Sequence, residues 1–465
     1  MTNLPEILKL SRLVMVWLTL IFVPVWGACW LVGIALPWLL VERVPAMLGD
    51  AVAPPWVMFV ADLCRFLTPV VSIMVFIPIN AMFMVLFERR ALAIFTVRKG
   101  PNRTLLDGLA QTFADALKLL FKEDITPRGA DAVMFTLAPI IFFAPSIFGA
   151  LPLLAAVTNN HALFQIANVP TGIFYVLASA SVPVVALVMA GWSSNNKYSL
   201  VGGLRSAAQA ISYEIPLVLS IVTVCLLAGT LDVVQIANQQ HGGFLNWNLF
   251  GGGALTGIDK YLAAFLSGSS TEGILAQYYP HGFWSGAATV VLAIATFILF
   301  GLYLTGACAE INRIPFDLPE AESELVSGYN TEYSGIKFAI FFLAEFTNLF
   351  VVASIATVMF LGGGDNIIPA YLLDNPLMHE LSSLLAGAFS FLINLQIVDP
   401  TTFWAAVWVI IKVYSIVFFA ILVRGTLPRF RIDQLMDFGW KRLIPLSLIA
   451  FVVVVFARVA VVCHG

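Results

Sequence analysis

Residues 309–333 read A-E-I-N-R-I-P-F-D-L-P-E-A-E-S-E-L-V-S-G-Y-N-T-E-Y. Six carboxylates (Glu310, Asp317, Glu320, Glu322, Glu324 and Glu332) face a single cation, Arg313. Apolar runs close in on both sides, Ser285–Cys308 and Ile336–Leu361. Each is long enough to cross a bilayer core, which takes about 20 residues of helix. A dense acidic connection between two membrane spans is a feature that packing alone does not predict. It also decides the fold class, because in lipid every backbone amide must be satisfied within its own segment or a closed barrel.

Working outward, the chain of 465 residues is 60% hydrophobic and 11% charged, with mean hydropathy +0.93. Soluble domains carry about 25% charged residues. The composition therefore predicts an all-α integral membrane protein of about nine transmembrane helices plus a cytoplasmic-side amphipathic helix. The nine apolar runs are 13–41, 66–88, 131–157, 170–191, 211–231, 285–309, 336–361, 403–424 and 443–463. The first follows Lys9 and Arg12 but runs too long without a small-residue cleavage site for a signal peptide, so a retained span is expected. Basic residues form no soluble patch, which argues against nucleic acid.

Of the 24 lysines and arginines, 19 fall on one set of connections, which makes that set the cytoplasmic one. A cytoplasmic N-terminus follows, and the acidic segment faces the cytoplasm. Six regions result. They are an extra N-terminal span with its outer loop (1–65), a first bundle (66–231), an outer insertion (232–284), two spans flanking the acidic loop 309–335 (285–361), a second outer insertion (362–402) and two last spans (403–465). No inverted repeat is visible, which weakens a transporter reading.

The five cysteines show no C-x-x-C or other ligand spacing, and the five histidines lie in connections or at the C-terminus. No metal, iron–sulfur, flavin or haem is therefore expected on this chain, and any redox centre would belong to a partner.

Several residues remain that could carry chemistry. In the helix predicted over 107–123, Gln111, Asp115, Lys118 and Lys122 share one stripe opposite Leu109, Phe113, Ala116, Leu117 and Leu120. That is either a solvated face, or an Asp115/Lys118 pair set against a partner or a polar channel mouth. Glu88 gains nothing from the positive-inside rule that explains Arg89 and Arg90. Glu214 is placed in the first turns of the span 211–231, where the helix dipole would favour a carboxylate; a proton relay is the competing reading. Asp317 and Glu320 fit an N-cap and capping box, leaving Glu310, Glu322, Glu324 and Glu332 without a structural excuse. Glu345 and Lys412 each lie nine residues into a span and are expected at matching depth, as a pair. Charges there cost at least about 2.5–3.5 kcal/mol and usually mark an ion path.

The motifs R-K-G-P-N (98–102), F-A-D-A-L-K-L (113–119), Q-A-I-S-Y-E (209–214), the acidic run 310–333, A-E-F-T-N (344–348) and P-R-F-R-x-D-Q-L-M (428–436) occur in this order. They make the chain resemble the quinone-chamber membrane subunit of respiratory complex I, the proton-pumping NADH:quinone oxidoreductase. The resemblance implies a tilted bundle whose narrow chamber, entered from the bilayer, guides a quinone head group (ubiquinone or menaquinone) toward the terminal iron–sulfur cluster of a peripheral subunit. It implies neighbouring membrane subunits as further partners, and a bacterial inner-membrane location. Carried over by motif, Glu88, Asp115, Glu214, Glu310, Asp317, Glu320, Glu322, Glu324 and Glu345 are candidates for proton coupling. Arg98, Lys118, Arg205 and Arg313 are candidates for lining the chamber, with Lys412 an intramembrane charge. The chain departs from the usual pattern at Leu105-Leu106, Thr112, Arg90 and Ala321, which implies a divergent bacterial member. The membrane anchor of an energy-converting hydrogenase is the alternative within the superfamily, and a cation/proton antiporter the alternative outside it.

Overall fold

The computed structural model describes residues 55–104, 108–158, 169–252, 283–317, 327–367 and 400–462, and every regular element among them is helical. In chain order these are α1 (Pro55–Phe95), α2 (Gln111–Phe121), α3 (Ala132–Thr158), α4 (Gly172–Ser193), α5 (Lys197–Ala228) and α6 (Val233–Asn238). They continue with α7 (Phe283–Glu310), α8 (Gly335–Phe360), α9 (Pro400–Thr426), α10 (Ile432–Phe438) and α11 (Ile444–Val462). Seven described helical stretches are long and apolar enough to cross a membrane. The protein is an all-α multi-pass membrane protein. The expected span 66–88 lies within α1, and the expected span 13–41 lies outside the described residues.

Local chemistry sets the helix ends. Asn196 caps α5 by accepting a hydrogen bond from the Tyr198 amide at 3.0 Å. Gly229 ends the same helix in the left-handed conformation, its N–H donating to the Cys225 carbonyl. α5 therefore starts about four turns before the span read from the sequence, and the connection from α4 shrinks to a tight turn.

α3, α4 and α8 pack together on one side of the bundle, and α5 is wedged between α4, α7 and α11. Tyr213, Ile221, Tyr303 and Phe360 lie wholly inside this core. α4 and α5 approach so closely that a Cβ on Gly203 would stand 2.9 Å from the Leu187 carbonyl oxygen. One on Gly202 would stand 2.7 Å from Gly328 Cα, in a turn near the end of the acidic segment. Small residues are the usual means of close helix approach in a membrane.

The connections α1–α2–α3, α4–α5, α7–α8 and α9–α10–α11 gather at one end of the bundle, the acidic-loop end. Cross-contacts tie them together: Asp131 N donates to Ser193 O, Asn196 Nδ2 to Glu332 Oε1 at 2.7 Å, and Lys337 pairs with Asp124 at 3.0 Å.

Overpacking a tight crossing costs about 1–3 kcal/mol. Gly203→Val should therefore lower the melting temperature of the detergent-solubilised protein. Gly301→Val, where a Cβ meets nothing within 4 Å, should not. Equal melting of both variants would remove the close-packing account.

Candidate functional site

Glu88 lies two turns before the end of α1 and is 5% exposed. Its carboxylate accepts hydrogen bonds from Arg313 Nη1 at 2.9 Å and from Arg424 Nη1 at the end of α9. Arg313 is buried as well, its guanidinium 4.2 Å from the centre of the Phe346 ring. One acid thus joins α1, the start of the acidic segment and α9. Beside it, Gln209 Nε2 donates to both the Ala309 carbonyl (2.8 Å) and the Phe316 carbonyl (2.6 Å), clasping the I-N-R-I-P stretch at its two ends. Asp317 accepts from Arg429 at 3.1 Å, and the Phe430 amide donates to the Pro315 carbonyl. The P-R-F motif is therefore a clamp on the acidic segment.

Glu214 stands in the middle of α5, not at its start, because the helix already begins at Lys197. The dipole reading fails for that reason. Its carboxylate instead accepts from Ser181 Oγ of α4 and is near enough to Glu310 for the two charges to interact. Glu310, the last residue of α7, opens onto a cavity of about 60 Å³ between α3, α4, α5, α7 and α8. The lining is mostly apolar, with Ser146, Ser179, Asn312 and Asn348 as polar members. Two acids are thus brought together next to space that several waters could fill.

Glu345 and Lys412 do not pair. Glu345 is buried in α8 and accepts from the Tyr329 hydroxyl at 2.9 Å. Lys412 donates to the carbonyls of Leu361 (2.7 Å), Gly363 (3.0 Å) and Asp365 (2.7 Å), beyond the far end of the same helix. The two levels lie roughly 24 Å apart along α8 at 1.5 Å per residue. The reason is direction: α8 and α9 are antiparallel, so equal counts into each span measure depth from opposite faces. Lys412 also stands 4.5 Å above the Trp247 ring and so caps the negative end of α8. Nearby, Asp365 accepts from the amides of Gly242 and Gly243 and meets His241 Nδ1 at 3.2 Å.

On α2, Asp115 takes Arg89 of α1 at 2.6 Å and Gln111 at 3.3 Å, in place of the expected Lys118. Lys118 and Arg98 are exposed, and Arg205 is half-buried on α5. Phe113, Leu120 and Phe121 also stand exposed, so the apolar face of α2 lies open on the protein surface. Glu320, Glu322 and Glu324 lie outside the described residues, and the capping box proposed for Asp317 and Glu320 with them. Among the described residues, no three His, Cys, Asp or Glu side chains gather to hold a metal ion.

A sequence model of the family described as NADH dehydrogenase matches residues 68–455, a stretch that contains every candidate from Glu88 to Lys412. The chain belongs to this family. The NADH-quinone oxidoreductase H subunit of Koribacter versatilis, the second of that name, is 36% identical over 393 residues, covering 81% of this chain and 92% of that protein. The NADH-quinone oxidoreductase H subunit of Dehalococcoides mccartyi strain CBDB1 is 38% identical over 383 residues, 82% and 83% of the two chains. That of strain ATCC BAA-2266 / KCTC 15142 / 195 is 38% identical over 387 residues, 83% and 84%.

The sequence alone does not reveal the partners of these acids. Arg424, Arg429, Ser181 and Tyr329 each contact a candidate acid, and Gln209 holds the backbone just before Glu310 and Asp317. In the sequence Arg424 reads only as a topology anchor, whereas Gln209, Tyr329 and Arg429 lie in the motifs at 209–214, 310–333 and 428–436. Ser181 carries no pattern of its own.

Two outcomes follow. Removing one member of a buried ion pair costs about 3–5 kcal/mol, against about 0.2–1 kcal/mol for an exposed one. Glu88→Ala should therefore lower thermal stability far more than Arg89→Ala, and equal losses would contradict the buried-triad reading. The second concerns pH. The Asp365 hydrogen bond, partly opposed by burial, raises the His241 pKa. Burial pushes Asp365 up, but the bonds from His241 and the Gly243 and Gly242 amides outweigh it, so its pKa is lowered. The histidine's contribution is complete below its ordinary value of about 6.5 and is lost as pH rises through the higher folded one. The aspartate's is present above about 3.9 and is lost as pH falls through its lowered one. The melting difference between wild type and His241→Gln should be larger at pH 5.5 than at pH 8.5, and a constant difference would refute the pair.

Proposed function

We propose that this chain is the quinone-chamber membrane subunit of a bacterial proton-pumping NADH:quinone oxidoreductase, acting within the enzyme and carrying no iron–sulfur cluster, flavin or haem of its own. The observation that supports this most is the convergence at the acidic-loop end. There Glu88, held by Arg313 and Arg424, lies beside the clasped segment from Glu310 to Asp317, and Glu310 lines a cavity while its charge interacts with that of Glu214. That the relatives are NADH-quinone oxidoreductase subunits favours a quinone acceptor, which sets this reading above a hydrogenase-type anchor or a cation/proton antiporter.

In this reading, quinone (ubiquinone or menaquinone) enters from the bilayer near the open apolar face of α2. Arg98, Lys118, Arg205 and Arg313 contribute positive potential along the chamber. Electrons arrive from the terminal cluster of a peripheral subunit, and each quinone takes up two electrons and two protons. The transient negative charge is felt by carboxylates in a region of low dielectric, where it shifts their protonation. Asp115, Glu214, Glu310, Asp317, Glu320, Glu322, Glu324 and Glu345 form the chain of acids that carries this change away, Glu88 fixing its first member's surroundings. The acidic-loop end faces the cytoplasm of the bacterial inner membrane, and neighbouring membrane subunits receive the relay.

Glu310→Gln keeps the size and polarity of the side chain but abolishes its proton exchange. In the assembled complex, it should slow quinone reduction and proton pumping at least several-fold while NADH oxidation by a hydrophilic acceptor persists. Wild-type rates of both would remove Glu310 from the mechanism. Loss of assembly in Glu322→Gln or Glu324→Gln would assign those acids to capping instead.

A further inference from the structure

Among the polar members of the Glu310 cavity that the proposed relay leaves unused, Asn312 stands out. Asn312 sits two residues after Glu310 with φ +56°, a left-handed conformation that Asn tolerates better than most residues. Its amide oxygen is buried and meets no hydrogen-bond donor among the described residues. A buried acceptor left unsatisfied costs about 1–3 kcal/mol, and in a polar cavity the usual remedy is a bound water. The space exists: the cavity of about 60 Å³ is lined by both Asn312 and Glu310, and one water needs only about 10–15 Å³. Acceptors for such a water lie on the opposite wall. Ser146 Oγ and Ser179 Oγ already donate to the carbonyls of Phe142 and Val176, which leaves their lone pairs free to accept.

We propose that Asn312 is a positioning residue: its amide oxygen holds an ordered water against the Glu310 carboxyl, giving that acid a proton contact into the cavity. The left-handed backbone serves this purpose, since it turns the chain out of α7 within two residues and keeps the amide beside the carboxyl. The titratable groups whose charges interact with Glu310 are Glu214 from α5 and Tyr303 from α7, with Cys308 and Arg313 one contact further out. Tyr303 donates its hydroxyl to the Val352 carbonyl at 2.9 Å, so its proton is already committed. A water is the proton carrier this arrangement lacks.

The inference rests on the proton role proposed for Glu310, and the test separates the two. Asn312→Gly keeps the left-handed turn and removes only the amide; Asn312→Asp keeps an acceptor oxygen at the same place. Measured in the assembled complex, Asn312→Gly should slow quinone reduction threefold or more and move its pH profile by half a unit or more. Asn312→Asp should recover part of the rate, and oxidation of NADH by a hydrophilic acceptor should stay unchanged in both. A high-resolution map of the wild-type complex should show a water within hydrogen-bond distance of Asn312 Oδ1 and of a Glu310 oxygen. An empty position there overturns the proposal, even if Asn312→Gly fails to assemble. A wild-type rate and profile in Asn312→Gly, with Glu310→Gln impaired, overturns it as well. A wild-type rate in Glu310→Gln would instead remove the proton reading beneath it.

Discussion

The buried charge of Glu88 holds the acidic-loop end together. A carboxylate with almost no access to water is stable only if opposite charge and hydrogen bonds replace the lost hydration. Here two guanidiniums supply both, one from the start of the acidic segment and one from the end of α9. Because the pair buries Arg313 against Phe346, the segment cannot drift from α1 or α8 without exposing an uncompensated ion. The Gln209 clasp and the Arg429–Asp317 contact then complete a rigid base for a stretch whose own charge would otherwise extend it.

From that base the polar chemistry leads inward. Glu310 closes α7 and opens onto the cavity, the charge of Glu214 on α5 interacts with it, and Glu345 lies deeper in α8 behind Tyr329. Glu214 and Glu310 occupy different helices, yet a change of charge at one is felt at the other through a medium that screens poorly. On the proposed reading such a pair suits transmission better than bond chemistry, since a relay asks of its members only that they sit close and change protonation.

Much of the fold is legible in the sequence because a bilayer imposes long apolar runs, and these survive inspection without partners. The apolar runs from 66–88 onward reappear as helices, with most ends shifted by only a few residues. Three readings of the site fail for one kind of reason: the sequence says how far along a run a residue lies, not which way the run points or where its helix begins. Glu214 reads as a helix-start residue because Gly202, Gly203 and Arg205 hide the true beginning at Lys197. Counting inward from opposite faces pairs Glu345 with Lys412. Helical spacing pairs Asp115 with Lys118, whereas Arg89 reaches it from α1. The Glu88 contacts span 225 and 336 residues of chain, a separation at which a single sequence carries no pairing signal.

The three carbonyls that receive Lys412 also bear on how the protein enters the membrane. A lysine near the middle of an isolated α9 would oppose insertion by about 2.5–3.5 kcal/mol. The oxygens that relieve it belong to the turn after α8, which leaves the ribosome first. α9 is thus acceptable to lipid only alongside a helix already threaded, and the order of synthesis supplies that helix. The ammonium works as a checkpoint during biogenesis: a hairpin of α8 and α9 seated in the wrong register leaves the charge stranded in hydrocarbon, and only the native register lets it rest.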